Sequence, residues 1–165
     1  MRPAVAGKRA APSIEIVMED KSWRGVAKDL RTQIGRAARL ALLHAKAKLS
    51  RPELTILLTS DERVRTLNRQ YRGKDKPTNV LSFPGATGAY LGDIAIAYAI
   101  TAGEAESAGK PPLHHVLHLV VHGVLHLLGY DHEAPNEAGA MESLEADILA
   151  QMGVPDPYKR RGRAA

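Results

Sequence analysis

The sequence predicts an α+β fold, a mixed sheet of about four strands packed by helices, with a zincin-like metal site on a buried helix. Three observations carry this expectation. Four short segments, 13–18, 53–59, 78–83 and 91–98, read as strands. The longer segments between and after them repeat their apolar residues at helical spacing. One of those helices is apolar nearly all round and lines up its histidines along a single edge, so it must be buried with that edge on a cleft.

The first strand, Ser13 to Met18, alternates Ile14, Ile16 and Met18 with Ser13 and Glu15, and only Val17 blurs the pattern. From Ser22 to about Leu49, Trp23, Val26, Ala27, Leu30, Ile34, Ala37 and Ala41 share a face and predict one long helix. Trp23 reads as a core anchor. Pro52 breaks the chain, and Glu53 to Thr59 is the second strand. Ser60 caps a helix expected to run to about Arg69, with Asp61 and Glu62 in the first turn, where the helix dipole favours acids. Thr78–Phe83 and Leu91–Tyr98 flank the turn-forming Pro84-Gly85-Ala86-Thr87-Gly88, which predicts an antiparallel hairpin. Three helices complete the chain, at about Ile100–Ala108, Leu113–Leu128 and Asn136–Met152; the last has Met141, Leu144, Ile148 and Leu149 as its apolar seam.

At 165 residues, 44% of them apolar, the chain suits one compact domain, assigned to residues 13–158 between a mobile basic extension, 1–12, and a basic tail, 159–165. No apolar run approaches the roughly 20 residues needed to span a bilayer, and the expectation is a soluble cytoplasmic protein without membrane contact. The absence of cysteine excludes disulfides and thiolate metal sites, so any zinc must rest on histidine and carboxylate. The net charge of +5 is concentrated at the two ends, in Arg2, Lys8 and Arg9 and in Lys159, Arg160, Arg161 and Arg163. Nucleic-acid binding therefore has to be argued from local clusters.

The densest chemistry lies in His122-Gly123-Val124-Leu125-His126-Leu127-Leu128-Gly129-Tyr130-Asp131-His132. Histidines four apart sit above one another on a helix, and a left-handed Gly129 ends the helix so that His132 can return beside them. Three protein ligands leave the fourth position of a tetrahedral zinc for water or substrate, as in catalytic sites. The expectation is one Zn2+ per chain on His122, His126 and His132. The spacing is that of the long zinc signature H-E-x-x-H-x-x-G-x-x-H, but Gly123 stands where zinc peptidases carry their general base. Peptide hydrolysis thereby loses its base while metal binding is untouched. Asp131 is placed to orient an imidazole or to cap the turn, and His114, His115 and His118 read as structural or supporting groups.

A second cluster, Arg69 to Lys76, holds four basic groups and one acid in what reads as a loop leading into a strand. Arginine offers a fork for phosphate oxygens. Arg72 is the expected substrate clamp and, with His122, the expected catalytic pair; Arg69, Lys74 and Lys76 are the accompanying candidates for RNA contact.

Together, Tyr71-Arg72-Gly73-Lys74-Asp75-Lys76-Pro77-Thr78-Asn79-Val80-Leu81-Ser82-Phe83, Leu91-Gly92-Asp93 and the full H-G-x-L-H-L-x-G-Y-D-H pattern resemble the YbeY family of bacterial metal-dependent endoribonucleases. The likeness covers roughly residues 13–158, Asp156-Pro157-Tyr158 included. It implies cleavage of single-stranded RNA, work in 16S ribosomal RNA 3′-end maturation and ribosome quality control, ribosomal RNA and ribosomal subunits as partners, zinc on the three histidines, and a functional Arg72. Water or the RNA 2′-OH could be the nucleophile. Two other readings fit the residues: a hydrolase of another phosphoester, and a non-catalytic, metal-stabilised RNA-binding factor in ribosome assembly. A protein carboxylate in the fourth metal position would favour the latter.

Overall fold

The computed structural model describes residues 11–44, 51–86, 90–131 and 134–159. Four strands, β1 (Ser13–Met18), β2 (Glu53–Thr59), β3 (Val80–Pro84) and β4 (Tyr90–Ala97), form one sheet in the order β1-β2-β4-β3. β1 and β2 pair in parallel, as do β2 and β4, whereas β3 runs antiparallel to β4. The sheet is therefore mixed, and β3 is an edge. Five helices accompany it: α1 (Leu30–His44), α2 (Asp61–Arg72), α3 (Tyr98–Ser107), α4 (Pro112–Leu127) and α5 (Pro135–Gln151). None of the described helices is long and apolar enough to cross a membrane.

Strand alternation sorts β4 onto two faces. Ile94 and Ile96 join Leu54, Ile56 and Leu58 in the main core, together with buried side chains of α1, α4 and α5. Ala95 and Ala97 face the other way, into a smaller cluster with Leu81 and Val64 of α2. α4 is buried on most of its circumference, with Val116, Leu117, Val120, Val121, Val124 and Leu125 all in the main core. Its histidine edge is what remains at the surface. The helix stops at Leu127, and Gly129 follows at φ 94°, the left-handed conformation expected there.

Two expectations are corrected. The long helix from Ser22 to Leu49 is instead a 3-10 turn, Lys21–Gly25, followed by α1 from Leu30 to His44; residues 45–49 lie outside the described ones. Asp20 accepts the Ser22 N–H at 2.9 Å, and Trp23 turns inward, donating its indole N–H to the Thr59 carbonyl at 3.0 Å. Seating the indole there, edge-on to Tyr98, fixes the short turn separately from α1. α2, expected to end near Arg69, runs on to Arg72 and closes at Gly73, whose φ is 67°. Gly73 is where the chain can turn left-handed without a Cβ penalty. Arg69 and Arg72 consequently sit on the last turn of a helix rather than in a loop. Of the expected basic ends, only Ala11, Pro12 and Lys159 are among the described residues.

Candidate metal centre

The close seating of α4 on the sheet comes from Gly123. A Cβ at that position would lie 3.0–3.3 Å from three carbons of Ile94, so position 123 faces β4, and glycine lets the helix approach it. Ser82 of β3 donates its hydroxyl hydrogen to the Gly123 carbonyl at 3.3 Å. The edge strand and the histidine edge thus form two walls of one cleft of about 400 Å3, which Arg72, Asn79, Ser82, His122 and His126 help to line.

On one wall the Nε2 atoms of His122 and His126 face each other at 3.0 Å. Behind His122, the Nδ1 of the same ring lies 2.8 Å from Oε1 of Glu145, a side chain of α5 that is fully buried. The second oxygen of Glu145 meets His118 Nε2 at 2.7 Å and the Tyr158 hydroxyl. Burial by itself would raise the Glu145 carboxyl, but the hydrogen bonds from His118, His122 and Tyr158 outweigh it and hold the group at about 2. Burial, and then the Glu145 carboxylate, push the Tyr158 phenol up, which keeps it a donor. An ionised carboxylate can only accept, so the Nδ1 of His122 carries the hydrogen, and it is the other ring nitrogen, Nε2, that faces His126. His118, His122 and Glu145, with one ligand atom from each within 4.8 Å of the others, form a possible metal site.

Across the cleft, Arg72 donates from Nη2 to the Ser82 carbonyl at 2.7 Å, and its guanidinium lies 5.7 Å from the centre of the Phe83 ring. This anchors the exposed arginine to the edge strand. Arg69, Lys74 and Lys76 are exposed and take no part in lining the cleft. The acid of their cluster, Asp75, is bound by Arg65 at 2.8 Å. His115 is buried and meets Glu104 at 3.0 Å, so its role is structural. Asp131 is exposed in the turn after α4, and His132 lies outside the described residues.

Sequence reasoning passed over Glu145. A signal was present, because Glu145 stands four residues from both Met141 and Leu149 of the α5 seam, and a charge inside an apolar stripe needs a buried partner.

Residues 15–153 match the family model described as Endoribonuclease YbeY. A curated protein of that name from Rhodopseudomonas palustris strain BisA53 is 47% identical over 162 residues, covering 93% of this chain and 94% of its own. Another, from Nitrobacter hamburgensis, is also 47% identical and covers 94% of this chain and 87% of its own. Among solved structures, that of TM1509 from Thermotoga maritima, determined in solution, is similar with a TM-score of 0.54 at 25% identity, over 89% of this chain and 99% of that one. With the helix that carries the histidines, the edge strand beside it and nearly the whole length matched, this chain belongs to the YbeY endoribonuclease family.

Proposed function

We propose that this protein is a zinc-dependent endoribonuclease that cuts single-stranded RNA in the cleft between β3 and α4, and that it acts on ribosomal RNA in 16S 3′-end maturation and ribosome quality control. The observation that carries the reading is the pair of facing imidazole nitrogens, 3.0 Å apart, on a wall opposite Arg72. Ligands of a tetrahedral zinc at ordinary bond lengths are separated by about 3.3 Å, so these two rings suit a small cation with little movement. His122, His126 and His132 would hold it, and Glu145 would fix the ring of His122 from behind, as carboxylates commonly do for metal-binding histidines. When bound, the metal supplies Lewis acidity at a phosphoryl oxygen or lowers the pKa of a water. Glu145 is bonded to Nδ1 of His122, whereas the nitrogens of His122 and His126 that would hold the metal are the facing Nε2 atoms. That arrangement favours an enzyme with an open position over a structural site closed by the carboxylate.

Arg72 would bind the scissile phosphate and stabilise the charge that develops on it. Its tie to the Ser82 carbonyl sets the orientation of the fork before RNA arrives. Gly123 points at Ile94, so nothing from that helix position can act as the proton acceptor.

The test is cleavage of single-stranded and duplex RNA by metal-analysed protein, with and without chelator. Single-strand cleavage lost on chelation and restored by zinc is expected, together with loss of activity, by at least about a hundredfold, in His126→Ala and Arg72→Ala variants that keep their circular dichroism. Full activity in either variant sinks the assignment. The product ends identify the nucleophile, because a 5′-phosphate eliminates attack by the 2′-OH.

A further inference from the structure

The histidine edge of α4 does not end at the metal cleft. One and two turns earlier, His118 and His114 border a second cleft of about 440 Å3. Its walls come from the α3–α4 connection, with Lys110 and Pro111, and from the segment after α5, with Pro155, Pro157 and Lys159. Two lysines and the half-buried His114 set its polar character, against one acid, Asp156, whose Oδ1 already takes the Tyr158 N–H at 2.8 Å. The prolines offer rigid apolar faces without donors. Beyond Lys159 the sequence continues with Arg160, Arg161 and Arg163.

His118 lines the second cleft, its ring 6.2 Å from that of His122, which lines the first, and 5.5 Å from that of Tyr158. His114 precedes His122 by two turns, about 12 Å along the helix axis, a distance that an extended strand covers in a few nucleotides. The volume is within the range of sites that enclose one small ligand, about 300–1,000 Å3.

We infer that this second cleft is an RNA subsite, in which Lys110 and Lys159 hold backbone phosphates and the proline faces receive one unstacked base of the strand whose scissile phosphate lies at Arg72. The inference rests on the endoribonuclease reading and deepens it. A recessed pocket accepts only a base that is free of a complementary strand, which supplies a physical source for a single-strand preference.

The experiment uses the full chain loaded with zinc and a Lys110→Gln/Lys159→Gln double variant, neither residue being placed in the catalytic machinery. Binding of a fluorescent single-stranded RNA of ten nucleotides is followed by anisotropy over a series of salt concentrations, and cleavage is measured beside it. The expected result is an RNA Kd weakened about tenfold, a slope of log Kd against log salt reduced by about 1.4, and kcat at saturating RNA unchanged. A double variant that matches wild type in Kd and in salt slope, while wild type cleaves RNA, overturns the subsite and leaves the proposed function standing. A wild-type protein that neither binds nor cleaves RNA overturns both.

Discussion

At the scale of single residues, Gly123 shows how one position can have a chemical and a packing explanation at once. The sequence says that a peptidase base is missing; the structure adds that a side chain there would run into Ile94 of β4. Gly123→Glu should therefore create no peptidase. It would force a carboxylate into the helix–sheet contact, combining overpacking with an unpaired buried charge, and should cost at least about 3 kcal/mol. Thermal unfolding of the metal-free protein should register this as a fall in Tm of roughly 10 °C, and an unchanged Tm would show that α4 does not sit as described. The same close approach brings the Gly123 carbonyl to Ser82, so the glycine positions the edge strand that forms the opposite wall of the cleft.

Among elements, α5 acts on the site through Glu145, although its remaining buried residues are apolar. The depressed carboxyl gives a prediction with a definite sign. Its usual value is 4.5 and its folded value about 2, so its contribution to stability is fully present above about pH 4.5. Between there and pH 2 the unfolded chain takes up the proton first, and the contribution is lost. Urea denaturation of the metal-free protein should find Glu145→Gln less stable than wild type at neutral pH, with the gap closing as the pH falls from 5 to 2. A gap independent of pH would show that the carboxylate is not ionised in the folded protein. Zinc affinity of the same variant should weaken by about 10–100-fold, the usual effect of removing a group behind a histidine ligand. α2 offers the complementary lesson. Its cap at Gly73 rather than near Arg69 places Arg72 on a helical turn facing β3, which leaves Lys74 and Lys76 beyond the helix end and out of the cleft.

For the molecule as a whole, Trp23 ties together segments far apart in the chain. Its indole donates to Thr59 at the end of β2, and its ring stacks edge-on against Tyr98 at the start of α3. Trp23→Ala should cost about 3–5 kcal/mol through the cavity and the orphaned carbonyl. Because Trp23 lines neither cleft, kcat measured at a temperature where both proteins are folded should not change. A large loss of kcat at full folding would mean that the 3-10 turn and the cleft are coupled.

The four strands and the succession of α-helices between and after them were determined by the sequence alone, since period two and period 3.6 are local properties of the chain, whereas the 3-10 turn that precedes α1 was not. So were the histidine edge of α4 and the missing base at position 123. The sheet order β1-β2-β4-β3, the pairing of Arg72 with the edge strand, the exclusion of Arg69, Lys74 and Lys76 from the cleft, and Glu145 behind His122 were decided only in three dimensions. Each joins residues through space that are separated along the chain, and periodicity within a segment says which face is buried without saying what it is buried against. The buried glutamate needed both levels: its place in an apolar seam was legible from the start, while the imidazoles and phenol that make the charge tolerable came together only on folding.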